Sequence, residues 1–279
     1  MPRNLKIGFI GQGFIGKNYA DDFEERGYTV IRYDLHKYPD NKNKIKYCDV
    51  VFIAVPTPTT TKGFDDSIVH EVLALVGQGK IAVIKSTLKV GTTRKMQELY
   101  PDIVVMHSPE FLREASAAYD ARNPDRNIIG IIDLENKELY KKAELIMSTL
   151  PKAKYSLITK AEKAEMIKYG GNCFLYFKVT FMNILYDLTQ KHGLDYEVIT
   201  EAMSNDPRIG ASHLRIMHQG GRGAGGHCFI KDFEAMIEML EANGLPDQKK
   251  AAEAIRDLNL KYLKESNKDL DLIKDIYGE

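Results

Sequence analysis

Net charge is the first thing this sequence lacks: 39 Lys and Arg stand against 39 Asp and Glu over 279 residues. Counterion-release binding to nucleic acid and adsorption to an anionic membrane both need an excess of positive charge, so neither is favoured. Long apolar runs are missing too. None approaches the roughly 20 residues of a membrane helix, and residues 1–5 lack the apolar core of a secretory signal. Cysteine is scarce. Cys48, Cys173 and Cys228 are odd in number and widely spaced, which excludes a disulfide framework and a C-x-x-C metal cluster. No repeat of solenoid period and no low-complexity tract is present. These absences leave a cytoplasmic globular protein with reduced thiols, no metal, and a small molecule as its partner.

What is present is an apolar content of 44%, enough for two domains with packed cores. Short β-branched runs at residues 5–10, 29–33, 50–55, 81–84 and 103–106 read as buried strands. Helical spacing at residues 14–26 and 67–76 lies between them, and a further strand at 127–132 and helix at 137–150 extend the layer. The alternation predicts an α/β fold with a doubly wound parallel sheet over residues 1–158. From residue 159 the character changes. Residues 161–192 form a long helical stretch without proline, stopped by Gly193, and two more helices are expected at 231–242 and 247–264. Residues 159–279 therefore read as a second, mostly helical domain, with a polar tail expected to fray.

Gly11, Gly13 and Gly16 form G-x-G-x-x-G directly after the first strand and at the start of the first helix. Gly11 permits the tight turn, Gly13 lets the backbone approach a pyrophosphate, and Gly16 lets the helix pack close to the sheet, with Phe14 and Ile15 in the same turn. Asp34 ends the second strand eighteen residues beyond Gly16, where a carboxylate accepts the ribose 2'-hydroxyl of NAD. Arg32, His36 and Lys37 lie beside it and bear on the choice between NAD and NADP.

The carboxyl ends of the next strands carry Val55-Pro56-Thr57-Pro58, Lys85-Ser86-Thr87 and Ser108-Pro109-Glu110-Phe111-Leu112-Arg113-Glu114. Open α/β sheets bind ligands at that edge, and Glu110 is a candidate base there. On the long helix Lys168 and Asn172 are four residues apart and share one face. An ammonium and an amide there can stabilise an alkoxide or oxyanion. Gly170 and Gly171 sit between them, each costing about 1 kcal/mol in a helix interior, a loss understandable if something must approach closely. Cys228 lies between the glycine-rich residues 220–226 and an expected helix start. Thiolates are favoured at such positions and attack aldehyde carbons.

Taken in order, G-F-I-G-Q-G-F-I-G, A-V-P-T-P, K-S-T, S-P-E-F-L-R-E, N-P-D-R, K-Y-G-G-N, D-P-R-I-G and G-G-H-C-F-I-K-D resemble the UDP-glucose/GDP-mannose dehydrogenases from Lys6 to about Leu240. The resemblance implies an NAD domain followed by a helical domain like that of 6-phosphogluconate dehydrogenase. It also implies oxidation of a nucleotide-sugar C6 alcohol to a carboxylate, using two NAD, as in uronic acid supply for polysaccharides. Cys228 would be the nucleophile. Lys168, Asn172 and Asp232 would hold the oxyanion and a water, Glu110 would be acid/base and Thr87 would position water, with Val55, Pro56, Thr57, Thr87 and Glu114 lying near the cofactor. The segment Phe111-Leu112-Arg113, with Gly225 and Gly226, would contact the sugar, and Arg208 would reach the neighbouring subunit's substrate in a homodimer built on the long helix. The family's third domain, which grips the nucleotide, lies beyond the matched motifs. Ile230 stands where proline is usual, and Leu88-Lys89 where the family has a proline-containing turn. Two other readings share this plan: a β-hydroxyacid dehydrogenase, which needs no thiol, and a non-catalytic NAD-fold binding or assembly protein.

Overall fold

The computed structural model describes residues 5–278; the reading of residues 1–4 as lacking a signal core, and Glu279, lie outside the described residues. In chain order the elements are β1 (Lys6–Ile10), α1 (Phe14–Glu25), β2 (Thr29–Tyr33), β3 (Val50–Ile53), β4 (Thr59–Thr60), β5 (Gly63–Phe64), α2 (Ser67–Leu73) and β6 (Ile81–Ile84). There follow α3 (Thr92–Leu99), β7 (Val104–His107), α4 (Ala117–Arg122), β8 (Arg126–Ile131), α5 (Lys137–Thr149) and β9 (Tyr155–Lys160). The helical part comprises α6 (Ala161–Lys191), α7 (Tyr196–Ser204), α8 (Gly226–Ala242), α9 (Pro246–Glu265) and α10 (Leu270–Tyr277). Two compact units result: residues 1–57 with 65–168, and residues 58–64 with 169–279. The first unit thus runs ten residues past the position where the sequence changes character, because β9 joins the sheet and the first turns of α6 pack on it.

In the first unit seven strands lie in the order β2-β1-β3-β6-β7-β8-β9. The strands of the first five neighbours are mutually parallel. The expected doubly wound parallel sheet is thus present, with one reversal at its far side: β8 runs antiparallel to β7, and β9 is parallel to β8. Residues 108–125 return at the carboxyl edge without a crossover, so the next strand must enter from that edge and run the other way. Alternate residues feed opposite faces, as the two-residue strand period requires. Phe9, Phe52 and Val83 join one core and Ile10, Ile53 and Ile84 the other. Both faces are covered, which is why these strands read as unbroken apolar runs. Phe9 stacks on Phe52 with ring centroids 5.0 Å apart and meets Phe23 edge-on at 5.4 Å.

Gly130 on β8 is required by close approach, since a Cβ there would lie 2.7 Å from Ala164 Cβ and 2.8 Å from Ala161 Cα at the start of α6. One turn on, Glu165 accepts the amides of Gly91 at 2.6 Å and Thr93 at 2.7 Å, capping α3 with a carboxylate at its positive end.

Helix α6 is 31 residues long, and its residues from 169 on belong to the second unit. Cys173 and Tyr176 pack with Phe233 and Ile237 of α8, the Tyr176 and Phe233 rings stacking at 3.9 Å. The tail expected to fray instead forms α10, whose Ile273 and Ile276 are buried with Ile230 and Leu263. Few apolar positions suffice when they fall three residues apart on one face.

Candidate active site

At the carboxyl end of β1 the glycine motif has the geometry a dinucleotide needs. Gly11 has φ +85°, and a Cβ there would lie 2.3 Å from Ala54 O; one on Gly16 would lie 1.9 Å from Gly11 O. Gly13 differs: its Cβ would meet nothing within 4 Å. The first two glycines are demanded by the chain's own packing, whereas Gly13 borders open space at the N-terminus of α1, where a pyrophosphate would approach. Asp34 follows β2 and accepts from the amides of Gln12 at 2.9 Å, His36 at 3.0 Å and Lys37 at 3.2 Å. Partial burial opposes its ionisation, but these amides and the Lys37 ammonium prevail and hold the carboxyl below the usual range. Neighbouring positive charge is already committed. Arg32 pairs with Asp21 at 2.8 Å and Glu24 at 2.6 Å, and Lys37 Nζ donates to Gln12 O at 2.6 Å. That leaves a carboxylate for a ribose hydroxyl, with the Arg32 charge already balanced by two acids.

The ends of β3 and β6 are latched together. Val55 N donates to Ser86 Oγ at 3.0 Å, Ser86 Oγ donates back to Val55 O at 2.7 Å, and Thr57 Oγ1 donates to Thr87 O at 2.9 Å. Pro56 continues the same edge, and Thr57 and Thr87 are both buried.

Beyond β6 and β7 lies a buried charge cluster. Lys168 Nζ donates to Glu110 Oε1 at 2.7 Å and to Glu110 O at 2.9 Å, with both side chains under a tenth exposed. The second oxygen, Glu110 Oε2, accepts Leu112 N at 2.8 Å. Lys85 adds a second cation, over the Tyr19 ring at 4.1 Å and 3.3 Å from both oxygens of Ser108. Burial, with the like charge of Lys168, pushes the Lys85 ammonium down to about 8 against the pull of Glu110. His107 at the end of β7 is fully buried, and desolvation with the Lys85 charge lowers it to about 3, so its ring is neutral. Arg113 is tied to Asp120 through Nε at 3.1 Å and Nη2 at 2.5 Å, and Arg126 stacks on Phe111 at 3.8 Å. Glu114 opens a short 3-10 turn and is exposed.

In the second unit Asn172 Nδ2 donates to Asp232 Oδ2 at 2.5 Å, while Lys231 Nζ donates to Asp232 Oδ1 at 2.6 Å. Asp232 is buried to 1% exposure, so both oxygens are spoken for. Helix α8 begins at Gly226, five residues before the start expected from the sequence, and Cys228 therefore sits inside its first turn. Four residues separate Cys228 from Asp232, which places thiol and carboxylate on one helical face. Cys228 is exposed, whereas Cys48 and Cys173 are buried. Burial pushes the Cys48 thiol up to about 11 and raises Cys173 as well, so both are inert packing residues. A Cβ on Gly170 would meet nothing within 4 Å, so no packing among the described residues demands that glycine. Gly226 N donates to Asp269 Oδ2 at 2.7 Å, and Arg208 pairs with Asp206 at 2.6 Å with its side chain in solvent.

The structure thus joins Glu110 to Lys168 and Asn172 to Asp232. It leaves Arg208 on its own loop. Sequence reasoning missed Gln12, His107 and Asp269, and gave Ser86 no part of its own, because their roles depend on partners distant in sequence.

Residues 34–146 match the NAD binding domain of the UDP-glucose/GDP-mannose dehydrogenase family, and residues 162–261 match its central domain. The UDP-glucose 6-dehydrogenase of Rhizobium meliloti is 34% identical over 293 residues, covering 87% of this chain and 65% of that protein. An uncharacterised protein of Methanocaldococcus jannaschii is 34% identical over 84% of this chain and 30% of its own length. The chain spans less than two thirds of both. A UDP-glucose dehydrogenase structure from Pyrobaculum islandicum superposes with TM-score 0.80 at 27% identity, over 98% of this chain and 71% of that one. A 3-hydroxyisobutyrate dehydrogenase of Mycobacterium tuberculosis shares the fold, with TM-score 0.72 and 98% coverage of both chains at 15% identity. Among the described residues no helix is long and apolar enough to cross a membrane. With the NAD binding and central domains of the family matched in order, the chain belongs to the UDP-glucose/GDP-mannose dehydrogenase family and uses NAD as its cofactor.

Proposed function

We propose that this chain oxidises the C6 alcohol of a nucleotide sugar to the uronic acid in two steps through Cys228, with UDP-glucose as the first substrate to test. The observation that carries the reading is the exposed thiol in the first turn of α8, on one face with the buried Asp232 that Asn172 holds. Bound NAD supplies the hydride acceptor for each oxidation.

The chain's own residues account for the protons. Glu110, charge-paired with Lys168, takes the alcohol proton as hydride leaves C6. The aldehyde is attacked by the Cys228 thiolate, and the resulting oxyanion takes up a proton to give a thiohemiacetal; Lys168 and Asn172 stabilise that oxyanion. Loss of a second hydride and the hydroxyl proton leaves a thioester on Cys228. Water, activated at Asp232 and positioned by Thr87, adds to the thioester, releasing the acid and regenerating the thiol. Phe111, Leu112, Arg113, Gly225 and Gly226 would seat the sugar.

The chain is proposed to act as a homodimer. Along α6 the side chains of Met166, Phe174, Phe181 and Leu188 are each more than half exposed, and their spacing forms an apolar stripe suited to a second copy. Arg208 would then serve the neighbouring subunit's substrate.

The test is NADH formation against a panel of UDP-, GDP- and dTDP-sugars, with two NADH per acid formed. Cys228→Ser should abolish acid formation. Undiminished turnover of that variant on a hydroxyacid would favour a β-hydroxyacid dehydrogenase instead. NAD binding without NADH formation on any sugar would favour a non-catalytic protein.

A further inference from the structure

The glycine loop that precedes Cys228 is gripped by the turn between α9 and α10. A Cβ on Gly221 would lie 2.8 Å from the Cβ atoms of Lys268 and Ser266, and one on Gly225 would lie 2.0 Å from Asp269 Oδ2. Hydrogen bonds follow the same path. Arg222 N donates to Ser266 Oγ at 3.0 Å, Lys268 Nζ to Gly223 O at 3.0 Å, and Gly226 N to Asp269 Oδ2 at 2.7 Å. Asp269 is itself held at φ 55°, in left-handed backbone unusual for a residue other than glycine. Lys268 is 5% exposed. An adjacent cation and anion thus clasp the loop at its middle and its end, one on the Gly223 carbonyl and one on the first amide of α8.

We propose that Asp269 is a positioning residue for the Cys228 thiol: its carboxylate, fixed at the positive end of α8, holds the loop and restrains formation of the thiolate two residues on. The physical reason is competition for one dipole. The N-terminus of a helix stabilises a negative charge within its first turn, and a carboxylate already on the first amide repels a thiolate in that turn. Lys231 is paired with Asp232, and Lys268 faces the Gly223 carbonyl. His227 stands beside the thiol, His213 lies against the Phe229 ring at 5.8 Å, and Lys62 belongs to the β4–β5 hairpin, where Thr59 bonds Lys231 O. Asp269 is the anion at the first amide.

The inference deepens the proposed function through the same thiol, but its test needs neither NAD nor sugar. The full chain is alkylated with iodoacetamide across pH, and modification of Cys228 is read by peptide mass spectrometry, with the buried Cys48 and Cys173 as slow internal references. Asp269→Asn keeps shape and removes charge. Its alkylation midpoint should move to lower pH, with Cys228 reacting about three- to ten-fold faster at pH 7. Lys268→Met, which removes the opposing cation, should move the midpoint the other way and serves if the first variant does not fold. A midpoint unchanged in either folded variant overturns the proposal, as does a faster rate at every pH with no shift, which would mean a loosened loop. Because alkylation is independent of turnover, an inactive dehydrogenase with a shifted midpoint would refute the proposed activity and leave this inference standing.

Discussion

Glu110 and Lys168 form a pair whose charges are both removed from water, so each is tolerable only while the other is present. Lys168→Met should therefore destabilise the fold by about 3 kcal/mol, read by denaturant unfolding, whereas the double variant with Glu110→Met should recover much of that loss. Lys85 gives a pH signature. Its folded-state value, about 8, lies below the ordinary lysine value of 10.5, so the unfolded chain binds the extra proton between those limits. Below pH 8 both states are charged and the full cost of burying the ammonium is present; as pH rises toward 10.5 that cost is relieved. Stability of the wild type relative to Lys85→Met should thus rise by on the order of 3 kcal/mol between pH 7 and 10.5. A flat difference would mean that Lys85 is hydrated. At the cofactor end, Asp34→Asn should reduce the preference for NAD over NADP by about ten-fold or more in direct binding measurements, since a charge-assisted bond to the ribose is replaced by a neutral one.

Secondary-structure elements show how far local pattern carries. The strands at 29–33 and 81–84 and the helix at 161–192 were legible to within a residue, because β2 opens on the β-branched run Thr29-Val30-Ile31, β6 is buried on both faces, and α6 contains no proline to interrupt it. The direction of β8 was not. Strand sense leaves no mark on residue type when both faces are covered, and it depends on where residues 108–125 return. Gly130, a single residue, carries the close contact between β8 and α6: Gly130→Ala should lower the melting temperature by several degrees, as overpacking costs about 1–3 kcal/mol. The early start of α8 was equally hidden. Gly226 at φ +80° is an unpromising helix opener, and only its bond to Asp269 shows why the helix begins there.

For the molecule as a whole, the apolar stripe on α6 predicts association. Phe174→Glu combined with Phe181→Glu should give a monomer by light scattering while leaving NAD binding intact, because both rings are exposed in the single chain. The glycine turn, the carboxylate after β2, the residues at the strand ends and the thiol beside the glycine loop could be read from the amino-acid order, since each depends on spacing within one strand, turn or helix. The Glu110–Lys168 and Asn172–Asp232 pairs, 58 and 60 residues apart, were legible as residues and invisible as partners. So were the Asp269 carboxylate on Gly226 and the commitment of Arg32 to Asp21 and Glu24. Local order sets φ, ψ and the face a side chain occupies, whereas the partner of a charge is chosen when burial removes water and the nearest opposite group must take its place.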